Sequence, residues 1–494
     1  MKQFISTFLL LMIIGCNCQE VMITLSLPDQ QEINELIYTV PISGRNYWGF
    51  TDTLKVNETG MFELNLKISR PSFVTFWSKD GRNQLKLLVE QGNNYHVSMD
   101  SLKNTQITGP NEKGLMLYAT FPNPSHIEME IREWLRDTNA TITSVHHQIN
   151  DLKQSDMNKF KELLDNGEIT KSFFDIVQKD RDCYYASMET RFLLIKSYTP
   201  IRNGTKIDDE LLVNLKKIYD QFPPNDESLQ ISSFWSEYAE HFVEEYKQFI
   251  QEDFSSQKIR DLRNVGSLYT HFINESKKYL SGKALEFFQA RFIYYTCIQA
   301  RSSFEKEFIS LFEQFEKDFP QSDYSKYLKP YIEKIIEYHT IIEQPFDQDI
   351  LFLDNYEAFN TLEEAVKPLL GKKIYIDVWA TWCSPCIGEF IHNEAMKKVL
   401  DENDIQQLYI SIDRGEDIDL KWKEYIKYYQ LKGKHLRANE VLYLNLMKQY
   451  SGNAENSYIA IPWYILIDEK GNIVNDRAKN PSEIVSGQKI WEID

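Results

Sequence analysis

Positive charge and long apolar runs are scarce in this sequence, and each scarcity excludes a class of protein. The 494 residues carry 55 lysines and arginines against 73 aspartates and glutamates, which gives a formal net charge of −18. A general nucleic-acid-binding protein presents a basic surface, so nucleic acid is not an expected partner. The hydrophobic content of 42% is enough to build packed cores, which excludes a disordered chain.

Cysteine is also sparse, because six cysteines in a chain of this length cannot form a disulfide scaffold. The six are Cys16, Cys18, Cys183, Cys297, Cys383 and Cys386. Cys183 and Cys297 either pair with each other or stay as buried thiols, since cysteine packs as a small hydrophobic residue. The close pair Cys383 and Cys386 instead indicates chemistry.

After the first residues, no stretch is long and apolar enough to cross a membrane. Lys2 precedes an apolar run that ends in Ile13-Ile14-Gly15-Cys16, which resembles a bacterial lipobox. That resemblance implies a signal peptide over residues 1–15 and a lipid on Cys16. The alternative is an ordinary cleaved signal peptide in which Cys16 has no role. We expect a lipid-anchored, periplasm-facing protein of a bacterial cell envelope, on the inner or the outer membrane.

The residue pattern changes twice along the chain and predicts three domains. Residues 16–112 contain short segments of alternating polarity, which predict an antiparallel β-sandwich-like domain. Residues 113–342 follow helical periods with many aromatic side chains, which predicts an α-helical domain. Beyond Pro345, strands alternate with helices, and this order predicts an α/β domain over residues 346–494.

The spacing of Cys383 and Cys386 is shared by zinc ligands and redox dithiols, so the surrounding sequence has to decide. A structural zinc site needs about four ligands, and no second cysteine pair or cysteine–histidine cluster lies nearby, so no metal is predicted. The pair follows an apolar strand and begins a predicted helix. A helix N-terminus lowers the pKa of a cysteine. Cys383 is therefore predicted to attack a disulfide, and Cys386, one turn later, to resolve the mixed disulfide.

The segment Ile376-Asp377-Val378-Trp379-Ala380-Thr381-Trp382-Cys383-Ser384-Pro385-Cys386 resembles the active-site strand and loop of the thioredoxin superfamily. Ile461-Pro462 resembles the cis-proline loop of that superfamily. Together with the lipobox and the inserted helical stretches before Pro462, these motifs are similar to those of the TlpA/ResA-type thiol–disulfide oxidoreductase lipoproteins. The resemblance implies a thioredoxin-like fold for the last domain. It implies no cofactor other than a redox-active Cys383–Cys386 disulfide.

The resemblance also implies roles for individual residues. Asp377 matches the buried acid that thioredoxins keep below the resolving cysteine, and Glu389 matches the glutamate that ResA-like reductases carry beside the dithiol. Either carboxylate would serve as the base that takes the proton of Cys386. The alternative for Glu389 is an exposed acid favoured by the helix dipole. The residues expected to bind substrate are Trp382, Pro385, Ile461 and Pro462.

These patterns predict an extracytoplasmic thiol–disulfide oxidoreductase that reduces the disulfides of exported proteins. Its expected partners are protein dithiols or disulfides, a thiol electron donor in the membrane, and the membrane itself through the lipid anchor. One alternative is an oxidant or isomerase of the same fold, because the Ser384-Pro385 dipeptide does not determine the direction of electron flow. Another is a binding or assembly lipoprotein that has the fold without redox turnover.

Overall fold

The protein, seen in a computed structural model, divides into two compact units. The first comprises residues 1–296 and 307–332, and the second residues 297–306 and 333–494. The residues that the structure describes are 18–27, 33–79, 81, 84–100, 104–124, 126–252, 255–298, 304–415, 418–451 and 458–490. The predicted signal peptide and Cys16 lie outside these ranges. No helix within them is long and apolar enough to span a bilayer.

Eight strands form the β part of the first unit. They are β1 (Gln19–Ser26), β2 (Glu35–Thr39), β3 (Thr51–Lys55), β4 (Phe62–Ile68), β5 (Ser72–Ser78), β6 (Gln84–Val89), β7 (Asn94–Met99) and β8 (Thr105–Thr108). They build two four-stranded sheets with the orders β4-β1-β7-β8 and β3-β2-β5-β6. Every second side chain of β4 is buried, because successive residues of a strand point to opposite faces. One hydrophobic core takes side chains from both sheets.

One strand pair differs from the expected antiparallel arrangement. β1 and β7 are parallel, with Ile23 opposite Tyr95, whereas the other neighbours in the two sheets are antiparallel. Parallel neighbours need a long connection, and here the chain passes through β2 to β6 before it returns. The prediction of an antiparallel domain was therefore wrong for this pair, because alternation within a strand carries no information about the direction of its partner.

Helices fill the rest of the first unit. They are α1 (Glu112–Ala119), α2 (Arg132–Arg136), α3 (Ile142–Asp165), α4 (Lys171–Asn203), α5 (Asp209–Gln221), α6 (Trp235–Glu240), α7 (Ser256–Asn264), α8 (Leu268–Tyr279), α9 (Gly282–Ile298), α10 (Glu307–Asp318) and α11 (Ser325–Ile342), the last passing into the second unit. The side chain of Thr170 caps α4 by accepting the N–H of Phe173, and α4 ends at Gly204 in a left-handed conformation. A π-helix, His241–Gln251, follows α6 directly.

Buried charges join the second sheet to α4 within the first unit. Lys86 of β6 lies 3.8 Å from Asp180, whose carboxylate also pairs with Arg181 at 2.7 Å. The hydroxyl groups of Tyr118 and Ser232 donate to the same carboxylate at 2.6 and 2.7 Å. We call these five residues the Asp180 cluster. It explains why the β and helical segments, which the sequence separates near residue 112, belong to one unit.

The second unit is an α/β fold around a six-stranded sheet. Its strands are β9 (Ile350–Phe352), β10 (Lys373–Trp379), β11 (Ile405–Ser411), β12 (Gly433–Arg437), β13 (Trp463–Ile467) and β14 (Ile473–Asn475). Its helices are α12 (Leu362–Val366), α13 (Ser384–Glu389), α14 (Asn393–Glu402), α15 (Ile418–Tyr428), α16 (Glu440–Ser451) and α17 (Pro481–Val485). The sheet order is β14-β13-β10-β11-β12-β9, with β11, β12 and β9 parallel to β10, and β13 antiparallel to it.

Strand β10 is covered on both faces, which explains its nearly continuous apolar sequence. Ile374, Ile376 and Val378 pack into one core, which also contains side chains of α15 and α16. Tyr375 packs into a second core with side chains of α14 and α17. The architecture is thus multidomain, with N-terminal β-sheets, a helical middle and a C-terminal α/β region. The apolar segment from Lys373 to Ala380, which the sequence predicts as the strand before the cysteines, matches β10 to within one residue.

Candidate active site

The cysteine pair lies where β10 passes into α13, at the carboxyl end of a central strand. Cys383 is the N-cap of α13, and its sulfur accepts the backbone N–H of Cys386 at 3.2 Å. Pro385 lies in the first turn, where a missing N–H leaves no helical hydrogen bond unmade. Donation from this N–H favours negative charge on the Cys383 sulfur.

Cys383 and Cys386 form a disulfide, with their Cα atoms 5.3 Å apart. Their exposed fractions are only 4% and 1%, so the two sulfurs are largely shielded from water. Next to them Trp382 is 57% exposed, a large apolar side chain that the fold leaves open to a partner. Pro385 is also exposed. A group that reacts with this disulfide would therefore approach from the side of Trp382 and Pro385.

The loop before Trp463 contributes to the same region of the second unit. The peptide bond between Ile461 and Pro462 is cis. Both residues are half-buried, and Ile461 packs against the core cluster that includes Cys383 and Cys386. The residues expected to bind substrate thus include two with open surfaces, Trp382 and Pro385, and two partly covered ones.

Asp377 lies in the middle of β10 and is 2% exposed. Its Oδ1 atom has no hydrogen-bond partner. Burial, and secondly the negative charge of Glu389, raise the pKa of Asp377 to about 8. This value is close to the ordinary pKa of a cysteine thiol, about 8.5, so the transfer of a proton between two such groups would cost little free energy.

Two tyrosines flank Asp377 on the neighbouring strands, and neither was predicted from the sequence as part of the site. Tyr409 of β11 and Tyr464 of β13 are the residues in register with Asp377. Residues directly opposite in a sheet share a face, so the three side chains lie side by side. Burial, and then the charge of Asp377, raise the pKa of both phenols. Both tyrosines lie in apolar strands next to the strand that carries Asp377. Pairing these strands in the predicted sheet could have pointed to the two tyrosines.

Glu389 is held by the last helix of the described chain. Its two carboxylate oxygens accept the backbone N–H of Ser482 at 2.9 Å and the Ser482 hydroxyl at 3.1 Å. Asp377 therefore has an unoccupied carboxylate oxygen, whereas both oxygens of Glu389 are engaged. Of the two acids expected near the dithiol, Asp377 is the better placed to accept a proton.

A second buried carboxylate, Asp413, anchors the loop before the cysteines. It accepts the N–H of Thr381 at 2.9 Å and the Thr381 hydroxyl at 2.9 Å. The hydroxyl of Ser411 donates to it at 2.8 Å. Asp413 was not predicted from the sequence, although it lies just after a central strand, where the functional residues of α/β folds are often found.

The remaining sequence predictions concern Cys183, Cys297 and a metal site. Cys183 and Cys297 are both buried, and neither forms a disulfide. Burial raises the pKa of both thiols, which makes them poor nucleophiles. Among the described residues, no group of three or more histidine, cysteine or acidic side chains could hold a metal ion.

Comparison with protein families identifies the region that contains the pair. Residues 363–486 match the family model described as Redoxin. This part of the chain is a redoxin domain. At the level of the family, the match supports a role in thiol–disulfide oxidoreduction. No protein in the curated set matches the chain.

Solved structures of several bacterial proteins are similar to about a quarter of this chain. One, from Bacteroides vulgatus, is described as a candidate thiol–disulfide oxidoreductase; it is 32% identical, and the alignment covers 25% of this chain and 75% of that one, with a TM-score of 0.21. A thiol:disulfide interchange protein from Chlorobium tepidum is 21% identical over 24% and 80% of the two chains, with a TM-score of 0.19. StoA from Bacillus subtilis is 20% identical over 24% and 84%, with a TM-score of 0.20.

Proposed function

We propose that the protein is an extracytoplasmic thiol–disulfide oxidoreductase of the TlpA/ResA type that reduces disulfides of exported proteins. The observation that carries this proposal is the Cys383–Cys386 disulfide at the start of α13, the helix that follows the strand with the buried acid Asp377. A sulfur that accepts a backbone N–H, a resolving cysteine one turn later and a nearby base are the groups that disulfide exchange needs.

In the proposed reaction, the reduced domain begins with Cys383 as a thiolate. Its sulfur attacks one sulfur of the client disulfide, which breaks the client S–S bond and forms a mixed disulfide, and the released client thiolate takes a proton from water. The Cys386 thiol then loses its proton to Asp377 and attacks the Cys383 sulfur. The second client thiolate leaves, so the client has gained two electrons and the domain is left as its disulfide.

The cycle requires a donor of two electrons, since the oxidised domain has to be reduced before the next client. We propose a membrane thiol protein in this role, together with a lipid on Cys16 that keeps the domain near it. The support for the anchor is the lipobox-like sequence Ile13-Ile14-Gly15-Cys16. Metabolic labelling with a radioactive fatty acid tests this part, because label should enter the wild-type protein and not a Cys16→Ser variant.

The direction of electron flow is tested by the reduction potential of the Cys383–Cys386 couple. The purified protein is equilibrated in thiol buffers of known potential, and the reduced fraction is read from alkylation and mass. Cys383→Ser is the control for the thiols of Cys183 and Cys297. We expect a value near that of thioredoxin, about −270 mV.

Two other results of this measurement would each favour a different function. A potential near −120 mV, the value of a strong oxidant, would contradict the reductase and favour the oxidant or isomerase. A pair that does not exchange with thiol buffers at all would contradict redox turnover and favour the binding or assembly lipoprotein. Neither result depends on whether Cys16 carries lipid.

A further inference from the structure

The first unit contains a cavity of about 730 Å³ that the redox chemistry does not use. Residues of the β part, among them Tyr47, Trp48 and Trp77, line one side of it, and residues of α6, the π-helix and α9 line the other. Cavities that bind small molecules range from about 300 to 1,000 Å³, so this one has the size of a ligand site.

The polar lining of the cavity contains more acidic than basic side chains. Five glutamates and two arginines contribute to it: Glu128, Glu237, Glu240, Glu244, Glu245, Arg191 and Arg291. Arg191 pairs with Glu128 and Glu245, each at 2.8 Å, and Arg291 pairs with Glu240 at 2.5 Å. Neither Glu237 nor Glu244 has a lysine or arginine partner among the described residues.

Glu244, one of the two glutamates without a basic partner, is the part of the lining that requires an explanation. The Oε1 atom of Glu244 is buried and has no hydrogen-bond partner. Burial, and then the charges of Glu240 and Glu245, raise the pKa of Glu244 well above its ordinary value, although Arg291 opposes the shift. Buried polar atoms in native proteins nearly always have a partner, so an orphaned carboxylate oxygen indicates a missing one.

A second, independent observation points the same way. His241 is 5% exposed, lines the cavity, and its Nδ1 atom has no hydrogen-bond partner. It is the first residue of the π-helix, which also carries Glu244 and Glu245. π-Helical segments occur frequently at functional sites, because the wider turn redirects side chains. The Nε2 atom of His241 lies 3.9 Å from Glu237 and 3.8 Å from Glu245. The Nδ1 atom of His241 and the Oε1 atom of Glu244 are thus polar atoms of this helix, at the cavity, that have no partner.

Aromatic side chains complete the lining. Trp48 is 46% exposed, and Tyr47, Trp77, Phe234 and Tyr295 line the same cavity. The faces of aromatic rings attract organic cations, and the rings also cover an apolar stem. A carboxylate together with aromatic walls is therefore complementary to an ammonium or guanidinium group carried on a hydrocarbon chain.

We propose that this cavity binds an organic cation, a ligand with a primary amine or guanidinium group on an apolar stem, with Glu244 and Glu237 as its charge partners and Trp48 beside the stem. An anionic ligand fits less well, because each arginine in the lining is already paired with a glutamate. The required chemistry is found both in free polyamines and in lysine or arginine side chains of peptides.

The test is isothermal titration calorimetry on the full chain with three probes. Spermidine represents the free polyamines, and the blocked tripeptide Ala-Lys-Ala represents a basic side chain. Blocked Ala-Glu-Ala is the matched acidic peptide. We expect heat of binding for at least one of the two cations and none for the acidic peptide, and the tighter cation identifies the source of the ligand.

Two variants assign the binding to the cavity. Glu244→Gln keeps the shape of the side chain and should weaken cation binding by about tenfold or more, since a charged hydrogen bond is lost. Glu162→Gln, an exposed acid on α3, is the matched control and should bind within about twofold of wild type. Trp48→Ala is a second lining variant; the side chain is half exposed, so its loss leaves the fold intact while weakening binding.

The outcomes separate this proposal from the redox function. Absence of binding by both cations, equal binding of the acidic peptide, or an unchanged affinity in both Glu244→Gln and Trp48→Ala would overturn the cation site. None of these results bears on the reduction potential of Cys383–Cys386, which is measured in the other unit. Circular dichroism and thermal melting of each variant establish that a loss of heat reflects the site and not unfolding.

Discussion

Two buried aspartates, one in each unit, have opposite acid–base properties. Asp180 is fully buried in the first unit, and burial alone would raise its pKa, but the charges of Lys86 and Arg181 and the donated hydrogen bonds lower the pKa to about 2. Asp377 is almost as deeply buried in the second unit, yet it has no cationic partner, and its pKa is about 8. The same side chain at similar burial thus differs by about six units of pKa.

The difference shows that partners, and not depth, decide what a buried acid does. Asp180 stays ionised and joins elements that are far apart in the chain, so its contribution is to stability. Asp377 holds its proton near neutral pH at the expense of stability, which is the property that the proposed proton exchange with Cys386 requires. Four predictions follow from this contrast, beginning with the largest free-energy change.

Replacing Asp180 by asparagine should destabilise the first unit by about 3–5 kcal/mol. The isosteric amide would leave Lys86 and Arg181 buried without their counter-charge. Because the two units need not unfold together, hydrogen exchange at the amides of α4, read by mass spectrometry, is the appropriate measurement. Asp175→Asn, an exposed acid on the same helix, is the control and should leave exchange unchanged. Equal exchange in both variants would contradict a stabilising role for Asp180.

Replacing Asp377 by asparagine should stabilise the oxidised second unit at pH 8 by several kcal/mol. A folded pKa above the ordinary value of 3.8 means that the native state binds the proton more tightly than the unfolded state. Wild-type stability therefore falls as pH rises from about 4 to about 8, and Asp377→Asn removes this slope. Scanning calorimetry at pH 4 and pH 8 measures the effect. Parallel stability curves for variant and wild type would show instead that folding leaves the pKa of Asp377 unshifted.

The same Asp377→Asn change should slow the resolution of a mixed disulfide by about 10²-fold, since the base that receives the Cys386 proton is lost. Single-turnover reduction of a disulfide-linked fluorescent peptide measures this step. Asp401→Asn, an exposed acid on α14, is the matched control and should react at the wild-type rate. Wild-type kinetics in Asp377→Asn would remove Asp377 from the mechanism.

Glu389→Gln should have the smallest effect of the four. Removing its charge lowers the pKa of Asp377, because Glu389 is the second contribution to the upward shift after burial. The midpoint of Cys386 alkylation against pH, measured in a Cys383→Ser background, should therefore move to lower pH, and turnover should change by less than about tenfold. A loss of turnover as large as that in Asp377→Asn would instead make Glu389 the base.

Local sequence patterns were sufficient to predict the α/β region and the position of the dithiol. The apolar run that became β10 and the two cysteines after it lie within 14 residues of one another, counting from Lys373 to Cys386. Alternating apolar side chains from Met61 to Ile68 predict a strand, and this segment matches β4 to within one residue. The short strands β12 and β14 and the helix α17 were not predicted, because each is too brief to show a period.

The contacts that complete the site join residues far apart in the chain and leave no local pattern. Thr381 and Asp413 are 32 residues apart, and Glu389 and Ser482 are 93 apart. Tyr409 and Tyr464 lie beside Asp377 only because of strand register. The cavity of the first unit was missed for the same reason, since its glutamates and aromatic residues come from segments that meet only in the folded chain.

The hydrogen bonds between Asp413 and Thr381 involve neither sulfur atom. Opening the disulfide breaks none of these bonds, so we expect them to hold the loop that carries Trp382 in both redox states. The dipeptide Ser384-Pro385 can then be replaced without removing the hydrogen bonds that hold this loop. Dipeptides from other members of the superfamily could be inserted to set the potential of the couple, while the surrounding loop keeps its geometry.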